Sequence, residues 1–128
     1  VSKKLGVDIA IENNPEPFYF LIKRTQDVAL FYAELGADID AGLALDVGHA
    51  NTTQETFDFI DRFGNKIVHV HISDNEGRFD QHKGIGYGKI NWKAVAEALK
   101  HINYKGLVMC ESVDHIPESI ETMRQLFA

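Results

Sequence analysis

Four short apolar runs, each ending on or beside a carboxylate or an imidazole, alternate along this chain with four segments of helical period. The runs are Val7 to Glu12, Gly42 to Val47, Lys66 to Ile72 and Gly106 to Glu111. Strands separated by helices specify a parallel sheet, because parallel neighbours need a long crossover rather than a tight turn. The expected fold class is therefore α/β, four consecutive βα units, (βα)4. One domain over residues 1–128 is expected, since the chain length and its 45% hydrophobic, 25% charged composition are ordinary for a globular unit.

The helices carry their own signals. The first, about Phe18 to Leu35, places Leu21, Val28 and Leu35 on one stripe, and Gly36 follows as a stop. Thr52 and Glu55 have capping-box spacing at the start of the second, which should bury Phe57, Ile60 and Phe63. Asn91 can cap the third, where Trp92, Val95, Ala96 and Leu99 recur at helical spacing. Pro117 suits the first turn of the last, with Ile120, Met123 and Phe127 on its inner face.

A closed (βα)8 barrel takes about 250 residues, so half the length with half the units reads as a half TIM barrel. An open four-stranded sheet would leave two unpaired edges and an uncovered apolar face. A homodimer, a separate N-terminal half-barrel, or a flavodoxin-like rearrangement with helices on both faces would cover it.

The single Cys110 has no partner for a bridge and sits in an apolar run, as a small buried hydrophobe would. No stretch approaches the roughly 20 apolar residues of a membrane span, and the first residues lack a signal peptide's apolar core. A reducing, cytoplasmic setting is expected, with no membrane partner. The net charge of −6 argues against nucleic acid, although carboxylates gathered at a metal would inflate that count.

Polar residues cluster where the apolar runs end: Glu12, Asp46, His71 and Glu111. In a parallel βα barrel those ends converge on one mouth. Carboxylates with one imidazole form a hard ligand set suited to Mn²⁺, Mg²⁺ or Co²⁺ and tolerant of Zn²⁺. A second set lies beside the first. Asp46 and His49 form an Asp-x-x-His turn, and Asp80 and His82 form an Asp-x-His pair in the long segment from Ser73 to Ile90. That segment has no helical period and holds Gly77, Gly84, Gly86 and Gly88, the marks of a functional or disordered loop. His69 shares strand parity with His71 and reads as a packed interior histidine one layer deeper. His101 and His115 suit surface or capping roles, and Arg78 suits either solvent or a substrate oxygen.

With these residues assembled, the sequence resembles the xylose-isomerase-like TIM-barrel superfamily, which includes sugar and sugar phosphate isomerases and epimerases and the apurinic-site endonucleases. The resemblance lies in Ile11 to Pro15, Leu45 to Ala50, Val70 to Asn75, Asp80 to His82 with Gly84 to Gly88, and Cys110 to Ser112. These follow the order of the family's C-terminal half.

The isomerase and epimerase branch implies one divalent metal held by Glu12, Asp46, His71 and Glu111. Glu12 and Glu111 would also exchange protons with a small carbohydrate through a metal-stabilised enediolate, while His49 and Arg78 orient it. The endonuclease branch implies zinc, with His49, Asp80 and His82 as further ligands. That branch also draws on an N-terminal half, so with the acidic balance sugar chemistry is the expected function. A third expectation is a non-catalytic half-barrel that only binds metal, because the family's substrate pocket uses both halves.

Overall fold

The computed structural model of the chain describes residues 6–36 and 39–127. Four strands, β1 (Ile9–Glu12), β2 (Ala41–Asp46), β3 (Ile67–Ile72) and β4 (Leu107–Cys110), form one parallel sheet in chain order. The helices are α1 (Thr25–Glu34), α2 (Val47–Thr53), α3 (Thr56–Phe63), α4 (Trp92–His101) and α5 (Ile116–Phe127). Strand order 1-2-3-4 is that of half a βα barrel and differs from the order 2-1-3-4-5 of a flavodoxin-like sheet.

Strand parity divides the sheet into two faces. Leu43, Leu45, Val70 and Ile72 turn outward and are fully buried with Val28 of α1, Phe59 and Ile60 of α3, and Val95 and Leu99 of α4. The other parity forms the inner face. In-register partners share a face, so Ala44, His69 and Leu107 line one row, and Asp46, His71 and Met109 line the next. β3 skips one residue against β2, pairing Ile67 with Leu43 and His69 with Ala44. The bypassed Val68 is exposed, and Gly42 faces it: a Cβ there would lie 2.5 Å from a Val68 methyl.

Several helix boundaries differ from the sequence expectation. α1 starts at Thr25 rather than Phe18, because the Asp27 carboxylate accepts from the main-chain N–H groups of Lys23 and Arg24 and closes the helix there. Leu21, expected on the buried stripe, is 94% exposed, while Val28 is buried. The second helix is two. Asp46 caps α2, accepting from His49 N–H at 2.7 Å, and Gln54 ends it in a left-handed conformation with φ 63°.

Thr52 is therefore inside α2, donating to the His49 carbonyl and accepting from Glu16 N–H. The Glu55 carboxylate instead accepts from the Thr25 main chain and hydroxyl and pairs with Arg24 at 2.9 Å, tying α3 to α1. Phe57 is exposed and Phe59 takes its expected place in the core. Asn91 does cap α4, accepting from Ala94 N–H at 3.1 Å. On α5, Met123 and Phe127 reach the core, but Ile120 is exposed and Ser119 is buried. Cys110 is half-buried rather than enclosed, because it lies on an edge strand, and its thiol donates to Ser112 Oγ. None of the described helices is long and apolar enough to cross a membrane.

The inner face exposes Val68, Leu107 and Met109, and a cavity of about 560 Å³ opens at the N-terminal strand ends around Asp8, Asp40, Lys66 and His69. Among the described residues, β1 and β4 are edges that pair on one side only. An exposed apolar face with parallel edges is the kind of surface that favours association. We propose that four further βα units, from a second copy or from an N-terminal half-barrel, close it. Alone, the 128-residue chain has only its own copies to use. It should sediment at micromolar concentration as a dimer or larger species, and a well-behaved monomer would contradict the proposal.

Candidate metal centre

The strand register determines which polar side chains meet. Glu12 pairs with Ala44, Asp46 with His71, and Glu111 follows the last residue of β4. The four residues thus climb by rows across the sheet, the stagger that tilted strands impose on a barrel mouth. His71 Nδ1 lies 3.2 Å from Glu12 Oε1 and 3.2 Å from Glu111 Oε1. Donor atoms of Glu12, Asp46 and His71 all lie within 4.8 Å of one another; Glu111 adjoins this group through His71.

Asp46 carries the signal for a cation. It is fully buried, its Oδ1 is occupied as the α2 cap, and its Oδ2 has no hydrogen-bond partner. Orphaned buried carboxylate oxygens are rare because nothing replaces the lost water. A divalent ion between Glu12, Asp46 and His71 would supply the missing partner, so these residues fit one. Burial pushes the Asp46 carboxyl up to about 6, against the opposing pull of His49.

A second group adjoins the first. His49 Nε2 is 3.2 Å from Asp80 Oδ2, and His82 Nε2 is 2.7 Å from the same oxygen. Donor atoms of His49, Asp80 and His82 also lie within 4.8 Å of one another, and Asp80 Oδ1 is a second buried oxygen without a partner. His49 Nδ1 donates to the Asn13 carbonyl at 2.7 Å, so both ring nitrogens face acceptors. Burial alone would lower the His49 pKa, but the Asp80 hydrogen bond and the Asp46 charge overcome it and raise it to about 9. Burial would raise Asp80, yet His49 and His82 hold it below its ordinary value.

The long segment between β3 and α4 is ordered rather than loose. Asp74, fully buried, accepts from the N–H groups of Asn75, Gly86 and Ile90 and from the Trp92 indole at 2.8 Å. Its main chain bridges to Lys83 in both directions. Gly88 must be glycine, since a Cβ would drive into the Asp74 carboxylate and the Asn75 main chain. This hub holds Asp80 and His82 at the mouth.

The remaining expected residues fall outside both groups. Arg78 is exposed on the loop. His69 is half-buried one row below His71, the two rings edge to face with centroids 4.8 Å apart. His101 is exposed, and His115 stacks on Tyr87 at 3.7 Å beside Asp114. Sequence reasoning passed over Asn13 and Asp74. Their signal was position, each close behind a strand-end ligand candidate and inside a segment that carries the family resemblance.

A pH dependence follows for the metal-free protein. The folded value of His49, about 9, lies above its ordinary 6.5, so its stabilisation is complete below pH 6.5 and is lost as pH rises through 9. Asp46, raised from 3.8 to about 6, likewise favours the fold at low pH and loses that contribution as it ionises through 6. Urea midpoints should therefore fall from pH 7 to 9, and His49→Gln should flatten that fall. A midpoint that climbs over this range and is unaffected by His49→Gln would contradict the assignment.

A family model described as a xylose isomerase-like TIM barrel matches residues 1–126. Among curated relatives, the uncharacterized protein MJ1311 of Methanocaldococcus jannaschii is 36% identical over 118 residues, 88% of this chain and 39% of that protein. A crystal structure of a D-tagatose 3-epimerase-like protein is 32% identical with a TM-score of 0.84, covering 98% of this chain and 48% of the other. An L-ribulose 3-epimerase structure, at 23% identity and TM-score 0.75, covers 99% and 42%, a likeness of fold alone. The chain spans between about two-fifths and half the length of these proteins. A family match over nearly every residue, on a sheet of four consecutive parallel βα units, places this chain in the xylose isomerase-like TIM-barrel family.

Proposed function

We propose that the protein is a divalent-metal-dependent epimerase or isomerase of a small sugar, working in the cytoplasm. The observation that carries this reading is the pair of carboxylates, Glu12 and Glu111, that meet at His71 Nδ1 from opposite edge strands. Two carboxylates flanking one point can serve two faces of a carbon next to a carbonyl. One takes the carbon-bound proton, its electron pair moves toward the carbonyl oxygen, and the other carboxyl returns a proton from the opposite side. When bound, a divalent ion such as Mn²⁺, Co²⁺ or Mg²⁺ would polarise that carbonyl. His49 and Arg78 would orient the sugar hydroxyls. Likeness to a D-tagatose 3-epimerase-like structure supports a ketose as substrate.

One further feature of the mouth favours a second reading. The His49, Asp80 and His82 group gives the mouth enough donors for a further ion, the equipment of a zinc-dependent phosphodiesterase acting on abasic DNA. The net charge of −6 argues against a DNA backbone as partner and ranks this below sugar chemistry. A half-barrel that binds metal without turnover is the third.

With Mn²⁺ or Co²⁺ and the barrel complete, the protein should interconvert ketose epimers and wash solvent deuterium into the reacting carbon. Glu12→Gln and Glu111→Gln should each slow this by about 100-fold or more. Chelator-sensitive nicking of an abasic duplex, with no deuterium exchange into sugars, would reverse the ranking.

A further inference from the structure

Asn13 follows Glu12 directly and is completely buried. Its side-chain amide faces the main chain of Asp46: Oδ1 accepts from Asp46 N–H at 2.9 Å and Nδ2 donates to the Asp46 carbonyl at 2.9 Å. The β1–β2 ladder has already ended at Glu12 and Ala44. The Asn13 amide thus stands where the next peptide of β1 would pair, supplying one acceptor to the Asp46 N–H and one further donor to the Asp46 carbonyl. Its own carbonyl accepts from His49 Nδ1 at 2.7 Å.

Two consequences meet at this residue. With its main chain clamped on both sides and its Oδ1 held by the α2 cap, the Asp46 carboxylate is fixed beside Glu12 and His71, its Oδ2 3.8 Å from His49 Nε2. With Nδ1 tied down, the His49 ring presents Nε2 to Asp80. Asn13 therefore touches one member of each donor group. Few side chains could replace it. Aspartate has no donor for the Asp46 carbonyl, alanine has neither donor nor acceptor, and glutamine would carry its amide one methylene too far.

We propose that Asn13 is a positioning residue that holds Asp46 and His49 in register and so couples the two donor groups. The part concerning metal rests on the metal reading above. The part concerning the His49 ring stands without any ion.

Asn13→Asp and Asn13→Ala in the intact protein test both parts, and Phe59→Leu serves as a variant destabilised far from the mouth. Calorimetric titration with Mn²⁺ should show affinity reduced about tenfold or more in both Asn13 variants. Long-range proton–nitrogen spectra of the metal-free protein should show the His49 Nδ1 proton losing its hydrogen-bonded shift. The residue-13 carbonyl remains in each variant, but nothing then fixes its direction. Phe59→Leu should keep both properties.

Mn²⁺ affinity within twofold of wild type together with an unchanged His49 signal would overturn the proposal, as would equal losses in Phe59→Leu. Should one Asn13 variant fail to fold, the other is read alone. Should wild type take up no Mn²⁺, the metal reading fails, and the His49 signal alone upholds or overturns the positioning role.

Discussion

The mouth of this half-barrel depends on the pairing of β2 with β3, which sets Asp46 beside His71 in one row of a parallel sheet. Because side chains alternate between faces, a slip of β3 by one residue would turn His71 out among the helices and bring Val70 and Ile72 inward beside Asp46. The register is held from both sides. Leu43, Leu45, Val70 and Ile72 are locked into the outer core, and the bulge that bypasses Val68 brings His69 and His71 back to the inner parity. The same hydrophobic burial that stabilises the sheet thereby fixes where its carboxylates and imidazoles emerge.

The strand-end residues were legible in the sequence because period and position suffice for them. Glu12, Asp46, His71 and Glu111 close the four apolar runs, and any parallel sheet of those runs collects them at one end. Asn91 was legible for a similar reason, since its cap spans only three residues.

Thr52 and Glu55 misled because their spacing suits a capping box, while the helix had already begun at Asp46 and their oxygens had longer-range uses. Leu21 misled in the same way: local periodicity extended the helix, but the Asp27 carboxylate ends it at Arg24. Asn13 and Asp74 lie in segments that carry the family resemblance, but their roles could not be read there. One depends on where β1 stops against β2, the other on a Trp92 indole 18 residues away, and neither relation has a local period.

What distinguishes the centre is a charged cluster assembled with its partners left incomplete. Asp46 Oδ2 and Asp80 Oδ1 are both buried without a hydrogen bond, one in each donor group. A divalent ion meeting Glu12, Asp46, His71 and Glu111 would complete it. Titration calorimetry with Mn²⁺ on wild type, Glu111→Gln and His69→Gln tests it most directly. Glu111→Gln keeps the shape but removes a negative charge from the mouth, and its affinity should fall substantially; His69→Gln, one row deeper, should leave affinity nearly unchanged. Equal affinities for wild type and Glu111→Gln would contradict the account and leave a half-barrel scaffold without its metal centre.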